Sequence, residues 1–198
     1  MRKIVFNVGI ILAMFVLTGC GKNGDYESLS ENVKRLELTG NLVTYEAYYH
    51  NVLEFEKEAG KGITHVFEKD RKLFAEYTGT IKLGIDLNKV KIEINGKEIN
   101  VKIPAAKIIG QPNVDKDDFK KEKFIESEEG FINKNPINGD DISKAFDDAQ
   151  TAMKKYAEDD EELLAIAQKR AKIIIEENIN QFSGMKPSDY TINWEYES

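Results

Sequence analysis

Apolar and polar side chains alternate along the first half of the chain, which is typical of strands that bury one face. Between positions 42 and 55, the residues of one parity are Val43, Tyr45, Ala47, Tyr49, Leu53 and Phe55, whereas Glu46, His50 and Glu54 have the other. The alternation returns between 73 and 85, where Leu73, Ala75, Tyr77, Ile81, Leu83 and Ile85 share one side. Gly60-Lys61-Gly62 separates the two segments. We therefore expect two strands joined by a glycine-rich connection.

A β-hairpin is predicted around Asn95-Gly96. Residues 89–94 and 97–103 alternate on either side of it, and Asn-Gly accepts the positive φ angles of a type I′ turn, whose twist matches that of the strands. Pro104 has no amide hydrogen to donate, so we expect it to end this ladder. A second, weaker hairpin is predicted from Phe124-Ile125 and Phe131-Ile132.

After a predicted loop at 133–141, apolar residues recur every three or four positions, which indicates helices. One helical face comprises Ile142, Phe146, Ala149, Met153 and Tyr156, and a second comprises Leu163, Leu164, Ala167, Ala171, Ile174 and Ile175. Asp140 or Asp141 is expected to cap the first helix. Because acidic residues favour helix N-termini, the run from Glu158 to Glu162 predicts a break between two helices. Ser183-Gly184 is expected to end the second helix.

The last predicted strand covers residues 190–196, with Tyr190, Ile192, Trp194 and Tyr196 on one face. Strands followed by helices and a final strand indicate an α+β fold. We expect an antiparallel sheet that includes the Asn-Gly hairpin, then one or two long helices, then the last strand. A chain of 198 residues suits one such domain, at 41–198.

The first twenty residues have a different layout. Arg2 and Lys3 precede an apolar run from Ile4 to Val16, which is shorter than the about 20 residues of a membrane-spanning helix and is typical of a secretory signal. The sequence Leu17-Thr18-Gly19-Cys20 follows, and it resembles the lipobox of bacterial lipoproteins. By that resemblance, residues 1–19 are a signal peptide that is removed, and Cys20 carries the lipid and becomes the N-terminus.

Lipid on Cys20 implies a protein attached to the cell membrane on its extracytoplasmic side. The acyl chains, of which palmitate is typical, contribute about 0.8 kcal/mol per buried methylene. Residues 20–40 then form the lipidated cysteine and a polar tether to the domain. Whether the inner or the outer membrane holds the protein is left open. Because Cys20 is the only cysteine, the domain has no internal disulfide and no thiol nucleophile.

The formal net charge of −7 changes the set of expected partners. A net negative charge repels nucleic-acid phosphates, so we do not expect the protein to bind nucleic acid. It also repels anionic lipid headgroups on average. Membrane attachment is therefore expected to depend on the lipid at Cys20 and not on basic residues.

Candidate catalytic and metal-binding residues are few. Asp86 follows Gly84 at a strand end, where a site could lie, but bonding to the backbone amides of its own turn is favoured because no second catalytic group adjoins it. His50 and His65 are the only histidines, and neither has the neighbouring ligands of a zinc site. Segment 113–118 resembles the start of a calcium loop, but position six and position twelve have the wrong residues.

No catalytic, cofactor-binding or metal-ligating residue is therefore predicted, and the one predicted site is lipidation at Cys20. Among the aromatic residues, Tyr48 lies opposite the face expected to be buried with Tyr45 and Tyr49. It is the aromatic side chain best placed to stack on a sugar or a peptide. The acidic run at 158–162 is interpreted as a solvated helix surface.

Segments 77–87 (YTGTIKLGIDL) and 101–109 (VKIPAAKII) combine a tyrosine, an intervening glycine, a Gly-Ile-Asp-Leu step and a strand that ends in proline. In these motifs, with the hairpin between them, the chain resembles the bacterial domain-of-unknown-function 4230 family. The resemblance covers about residues 41–196. The family carries no assigned reaction, so the resemblance implies a domain boundary and adds no site residue.

Two functional hypotheses follow, with a third of lesser weight. The first is a non-enzymatic binding or interaction module of the cell envelope with a protein or other partner, and it predicts an exposed apolar patch with a polar rim. The alternative is an envelope hydrolase, and it predicts a pocket that joins Asp86 with a histidine or a second carboxylate. The third is a structural role in which the helices pair between copies.

Overall fold

A computed structural model describes residues 38–126 and 134–197 of the chain. The predicted signal peptide, Cys20 and most of the tether lie outside these residues, as does the segment Phe131-Ile132 of the second predicted hairpin. The strands are β1 (Asn41–Lys57), β2 (Arg71–Asp86), β3 (Lys91–Asn95), β4 (Glu98–Ile103), β5 (Lys107–Ile108), β6 (Asn113–Val114), β7 (Ile125–Glu126) and β8 (Thr191–Tyr196). The helices are α1 (Gly139–Asp159) and α2 (Glu161–Phe182).

A long antiparallel hairpin of β1 and β2 forms most of the first sheet. It extends from the pair Asn41 and Asp86 to the pair Lys57 and Arg71. The other edge of β2 pairs with the short strands β5, β6 and β7. All six residues predicted for the inner face of β2 are buried, because that strand is paired on both sides and covered by the helices.

The prediction of a buried Val43 is wrong. The register between β1 and β2 shifts between Val43 and Tyr45, so one extra residue inverts the alternation ahead of it. Val43 is consequently exposed, and Leu42 packs against the core in its place.

The second sheet has the order β3-β4-β8. Its first two strands form the predicted hairpin, with Gly96 at a φ of +60°. β8 pairs parallel to β4, from Glu98 opposite Thr191 to Ile103 opposite Tyr196, because the chain crosses over through the helices before it returns. The face of β8 that the sequence predicts to be buried becomes more exposed toward the end of the strand. Tyr190, just ahead of β8, is buried, whereas Tyr196 is exposed. The α+β fold predicted from the sequence is confirmed.

The two helices meet at Asp160, within the acidic run that predicted a break, and the Asp160 carboxylate accepts a hydrogen bond from the amide of Leu163. The N-cap prediction for α1 is wrong, because the cap is Asn138. Its side chain accepts hydrogen bonds from the amides of Asp140 and Asp141, and the Asp141 carboxylate accepts one from the amide of Asn138. This reciprocal arrangement places Asp141 in the first turn instead.

The buried stripes of the helices consist mostly of small residues. They are Ala145, Ala149, Met153 and Ala157 on α1, and Ala167, Ala171, Ile175 and Ile179 on α2. Alanines let the helix backbones approach the sheets closely, so the larger Ile142 and Phe146 lie at the edge of the contact, partly buried. The prediction that Tyr156 belongs to the buried face is wrong, since its side chain is exposed.

The core has two parts. One lies between the long hairpin and α1 and includes Tyr77, Phe119 and Met153. The other lies between the second sheet and the C-terminal part of α2. Among the described residues, no helix is both long enough and apolar enough to cross a membrane.

Candidate functional site

Asp86 lies where β2 leaves the sheet and a short 3-10 turn begins. Its carboxylate accepts hydrogen bonds from the backbone amide of Asn88 at 3.1 Å and from the side-chain amide of Asn88 at 2.8 Å. The Lys107 ammonium lies 3.4 Å from the other oxygen. The Asn88 side-chain bond, followed by the smaller effects of the Asn88 backbone amide and Lys107, lowers the pKa of Asp86. Asp86 therefore has the turn-forming role that the sequence favoured.

An open cleft of about 650 Å³ borders Asp86. It is lined by Asp86, Asn88, Lys89, Lys91, Pro104, Ala105, Ala106, Lys107 and Glu197. The fold thus places one further carboxylate, that of Glu197, beside Asp86, together with three lysines. Neither histidine lines this cleft.

The two histidines lie apart and each contacts a glutamate of its own. His50 is on the exposed face of β1, where its Nε2 contacts Glu76 across the hairpin. His65 is in the connection between β1 and β2, with its Nδ1 2.8 Å from Glu68. Within the described parts of the chain, no group of three or more histidine, cysteine or acidic residues could hold a metal ion.

The calcium-like segment has structural contacts. Asp115 accepts a hydrogen bond from the amide of Asp117 and caps a 3-10 turn. Asp118 accepts two hydrogen bonds from Thr78, one from the amide and one from the hydroxyl, both at 2.9 Å. Lys123 donates to the other oxygen of Asp118 at 2.8 Å. These contacts fix segment 113–118 against β2.

Asp118→Asn is expected to lower the free energy of unfolding by about 1–3 kcal/mol at pH 7, because charged hydrogen bonds are lost. The hydrogen bond from Lys123 is the largest cause that lowers the pKa of Asp118 in the folded state. The ionised Asp118 carboxylate therefore stabilises the fold fully above its pKa in the unfolded chain, about 3.9. This stabilisation is lost as the pH falls through the lower pKa that Asp118 has in the folded protein. Urea unfolding at pH 7 and at pH 3 measures the difference.

Asp117→Asn is the matched control, since the side chain of Asp117 is 72% exposed and forms an ion pair with the exposed Lys120. It should leave stability nearly unchanged at both pH values. An equal loss for Asp118→Asn at pH 7 and pH 3 would show that the charge of Asp118 contributes nothing.

The residues that connect β1 to β2, 58–70, form what we call the hairpin tip. Three large apolar side chains point into solvent there: Ile63 is 94% exposed, Val66 69% and Phe67 62%. Ile63 begins a 3-10 turn that ends at His65, and Val66 and Phe67 follow that turn directly, so the three exposed side chains lie within five residues of one another. Sequence reasoning predicted a glycine-rich connection here and named His65, but no apolar surface. The signal it missed is an apolar spacing of i, i+3 and i+4 in a segment too short to bury it.

Hydrogen bonds hold the hairpin tip in one conformation. Asp70 accepts from the amide of Ala59 at 2.7 Å, and Glu68 accepts from the amide of Gly60 at 3.0 Å. The Glu68 carboxylate also contacts His65, which is the largest cause of its lowered pKa. Asn135, which is buried, donates to the carbonyls of Glu58 and Lys69 at 3.1 Å each. Two of the acidic side chains thus bind backbone amides of the tip.

Lysines accompany the three apolar side chains of the hairpin tip. Lys61, Lys69 and Lys134 are exposed near them, and the Lys134 ammonium lies 5.0 Å from the centre of the Phe67 ring. The amide of Lys134 also donates to the carbonyl of Phe67 at 3.1 Å. The hairpin tip therefore presents exposed apolar side chains together with lysines, and the acidic Glu58 is exposed at its start.

Tyr48, the aromatic residue singled out in the sequence, is exposed on the outer face of β1, as is Val52. Its position is as predicted. The residues directly opposite them across the hairpin, Thr80 and Glu76, are polar or charged, so Tyr48 and Val52 form a smaller apolar surface than the hairpin tip.

Comparison with known proteins gives one match. The family described as protein of unknown function (DUF4230) matches residues 34–191, which is most of the chain and contains both sheets up to the start of β8. No curated protein and no solved structure matches. The chain therefore belongs to the DUF4230 family.

Proposed function

We propose that this chain is a lipid-anchored, extracytoplasmic binding module of the cell envelope that works without catalysing a reaction. Its contact surface in this proposal is the hairpin tip. The observation that carries the proposal is the exposure of Ile63, Val66 and Phe67 on a loop held by internal hydrogen bonds.

Exposing these three side chains to water costs free energy, and a contact surface for a partner would explain why they are not buried. Fully burying a side chain of this kind stabilises by about 1.5–3 kcal/mol relative to exposure. Surface loops are ordinarily polar, and a rigid apolar patch with a polar rim marks a contact site. The internal hydrogen bonds of Asp70, Glu68 and Asn135 keep the patch formed before contact, which lowers the entropic cost of binding.

The position of the hairpin tip suits a module anchored at the other end. Gly40, directly ahead of β1, accepts a hydrogen bond from the amide of Leu87 at 2.8 Å, so the chain enters the domain beside Asp86. The 17 residues of β1 span about 55 Å at roughly 3.3 Å each. The tether and the tip therefore lie at opposite ends of the long hairpin.

The alternative, an envelope hydrolase near Asp86, has less support. Glu197 supplies a second carboxylate at the cleft, as that hypothesis requires. However, Asn88 and Lys107 contact both oxygens of Asp86, and those bonds favour the ionised form. A general acid needs the opposite shift in pKa, and the two oxygens that a general base or nucleophile would use already contact Asn88 and Lys107.

Photo-crosslinking in intact cells tests the proposal. A photoreactive residue replacing Thr64, which is exposed between Ile63 and His65, should give crosslinks to a cell-envelope component. The same crosslinks should be lost with Cys20→Ala, because the unlipidated chain is no longer held at the membrane and should leave the membrane fraction after a high-salt wash.

Lys155, exposed on α1, is the matched control position. A photoreactive residue there should give none of the crosslinks obtained at Thr64. Equal crosslinks from both positions, or retention of the Cys20→Ala chain on washed membranes, would contradict the binding surface and the anchor respectively.

A further inference from the structure

We propose that the partner of the hairpin tip is the lipid bilayer itself, with Ile63, Val66 and Phe67 inserted into the membrane interface. The inference rests on the proposed function and names the class of surface that the tip contacts. It is argued from the size of the apolar patch, from the hydrogen bonding of its backbone, from its rim and from the reach of the tether.

The size of the apolar patch favours a membrane over a protein. Specific protein interfaces bury about 800 Å² on each partner, whereas three side chains on one turn expose on the order of a few hundred Å². A bilayer interface accepts a small convex apolar group without a complementary pocket. The neighbouring outer face of the hairpin cannot enlarge the patch much, because charged pairs such as Glu54 and Lys72 occupy it.

Internal hydrogen bonds satisfy part of the backbone of the hairpin tip. Polar backbone groups that enter lipid need partners within the protein. Amides that donate within the tip are those of Ala59, Gly60, His65 and Glu68, and carbonyls that accept are those of Glu58, Gly62, His65, Phe67 and Lys69. These bonds fix the turn from which the three apolar side chains project.

The rim of the patch suits the headgroup region. Lys61, Lys69 and Lys134 are long side chains that can place apolar stems along the patch and ammonium groups among the phosphates. Glu68 and Asp70, which would be repelled there, bind backbone amides of the tip. Residues 58–70 hold three acidic side chains, those of Glu58, Glu68 and Asp70, and two lysines, so with Lys134 the charges of the tip balance, whereas the chain as a whole has a net charge of −7.

The tether allows the tip to reach the bilayer that holds the lipid. The roughly 20 residues between Cys20 and β1 extend to about 65 Å at 3.3 Å each, which exceeds the about 55 Å length of β1. Because the anchor keeps the tip near the membrane, a weak intrinsic affinity is sufficient for contact. The domain would then lie along the membrane with both ends of the long hairpin attached.

The test uses the full lipidated protein in vesicles of phosphatidylcholine, with and without phosphatidylglycerol. Cys20 is the only native cysteine and its thiol is blocked by lipid, so Thr64→Cys can carry an environment-sensitive dye, with Lys155→Cys as the matched control. Lipids with a quencher in the upper acyl chain should reduce the Thr64 dye signal several-fold more than the Lys155 signal. The additional changes Ile63→Ser and Phe67→Ser should abolish the difference in both vesicle types, and unchanged urea unfolding confirms that the variants are folded.

Quenching that occurs only with phosphatidylglycerol, or that survives Ile63→Ser with Phe67→Ser, would overturn insertion in favour of surface attraction by lysines. No quenching at Thr64, with protein crosslinks from Thr64 in cells, would overturn this inference and leave the proposed function intact with a protein partner. No quenching and no crosslinks would overturn both. A dye that also labels Cys20 would show that the anchor assignment is wrong.

Discussion

Gly84→Ala is expected to lower the free energy of unfolding by about 3 kcal/mol or more, near the upper end for overpacking in a core. A Cβ at this position would meet the carbonyl oxygen of Leu42 at 1.9 Å and its carbon at 2.8 Å. Both atoms are backbone, so no side-chain rotation relieves the contact. The neighbouring strand would have to move away from β2, with loss of hydrogen bonds at the start of the hairpin. Urea unfolding followed by the fluorescence of Trp194 measures the loss.

Gly139→Ala is the matched control, because a Cβ there meets nothing within 4 Å and the residue opens α1. That change should be neutral or slightly stabilising, since alanine has less backbone freedom in the unfolded chain and a higher helix propensity. If Gly84→Ala were as stable as Gly139→Ala, the close approach of Leu42 to β2 would be wrong. The register shift in β1 beside it would then need revision.

Gly84 also gives a physical meaning to the motif that carried the family resemblance. In the Gly-Ile-Asp-Leu step, Gly84 leaves room for the shifted strand, Ile85 is fully buried and Asp86 holds the following turn. Each of these three roles is structural. The motif therefore has a structural role in the fold of the family that matches this chain.

Much of the fold follows from local patterns that the sequence displays directly. Every position that the alternation predicts to be buried on β2 is buried, because the strand has regular partners. The Asn-Gly turn and the break at Asp160 depend on short-range chemistry. The prediction for Val43 was wrong because a one-residue shift in strand register cannot be recognised from the alternation of apolar and polar residues. Tyr156 failed because hydrophobicity was given more weight than size, whereas alanines allow the close contact between α1 and the sheet. The N-cap of α1 was assigned to Asp140 or Asp141 instead of Asn138 because aspartate and asparagine are equally good N-cap residues.

The hairpin tip could not be predicted by the same reasoning. The sequence Ile63-Thr64-His65-Val66-Phe67 is as apolar as a short buried segment. Whether it is buried depends on the absence of a covering element at the end of a long hairpin, which is a property of the tertiary structure. Conversely, the position of Asp86 at a strand end indicates a possible site, yet its contacts are those of an ordinary turn.

Met153→Ala is the second change with a large expected effect, a loss of about 2–5 kcal/mol in the free energy of unfolding. Met153 is fully buried in the α1 stripe, where it packs over the backbone of β2 at Gly79. The neighbours on the stripe are alanines, which are too short to fill the space that the thioether leaves. Lys155→Ala, exposed on the same helix, should change stability by less than about 0.5 kcal/mol.

A double-mutant cycle with Gly79 shows whether this packing is direct. A Cβ on Gly79 would meet the Met153 methyl at 2.8 Å, its sulfur at 3.0 Å and the carbonyl oxygen of Asn113 at 2.8 Å. Gly79→Ala should therefore be strongly destabilising in the native background and less so once Met153→Ala has removed two of the three contacts. The coupling is expected within about 0.5–3 kcal/mol, and the cost that persists reports the fixed carbonyl of Asn113, which the β6 pairing holds in place. Strict additivity of the two changes would show that α1 does not pack on β2 through Met153, and the alanine stripe would then lose its role in setting the distance between helix and sheet.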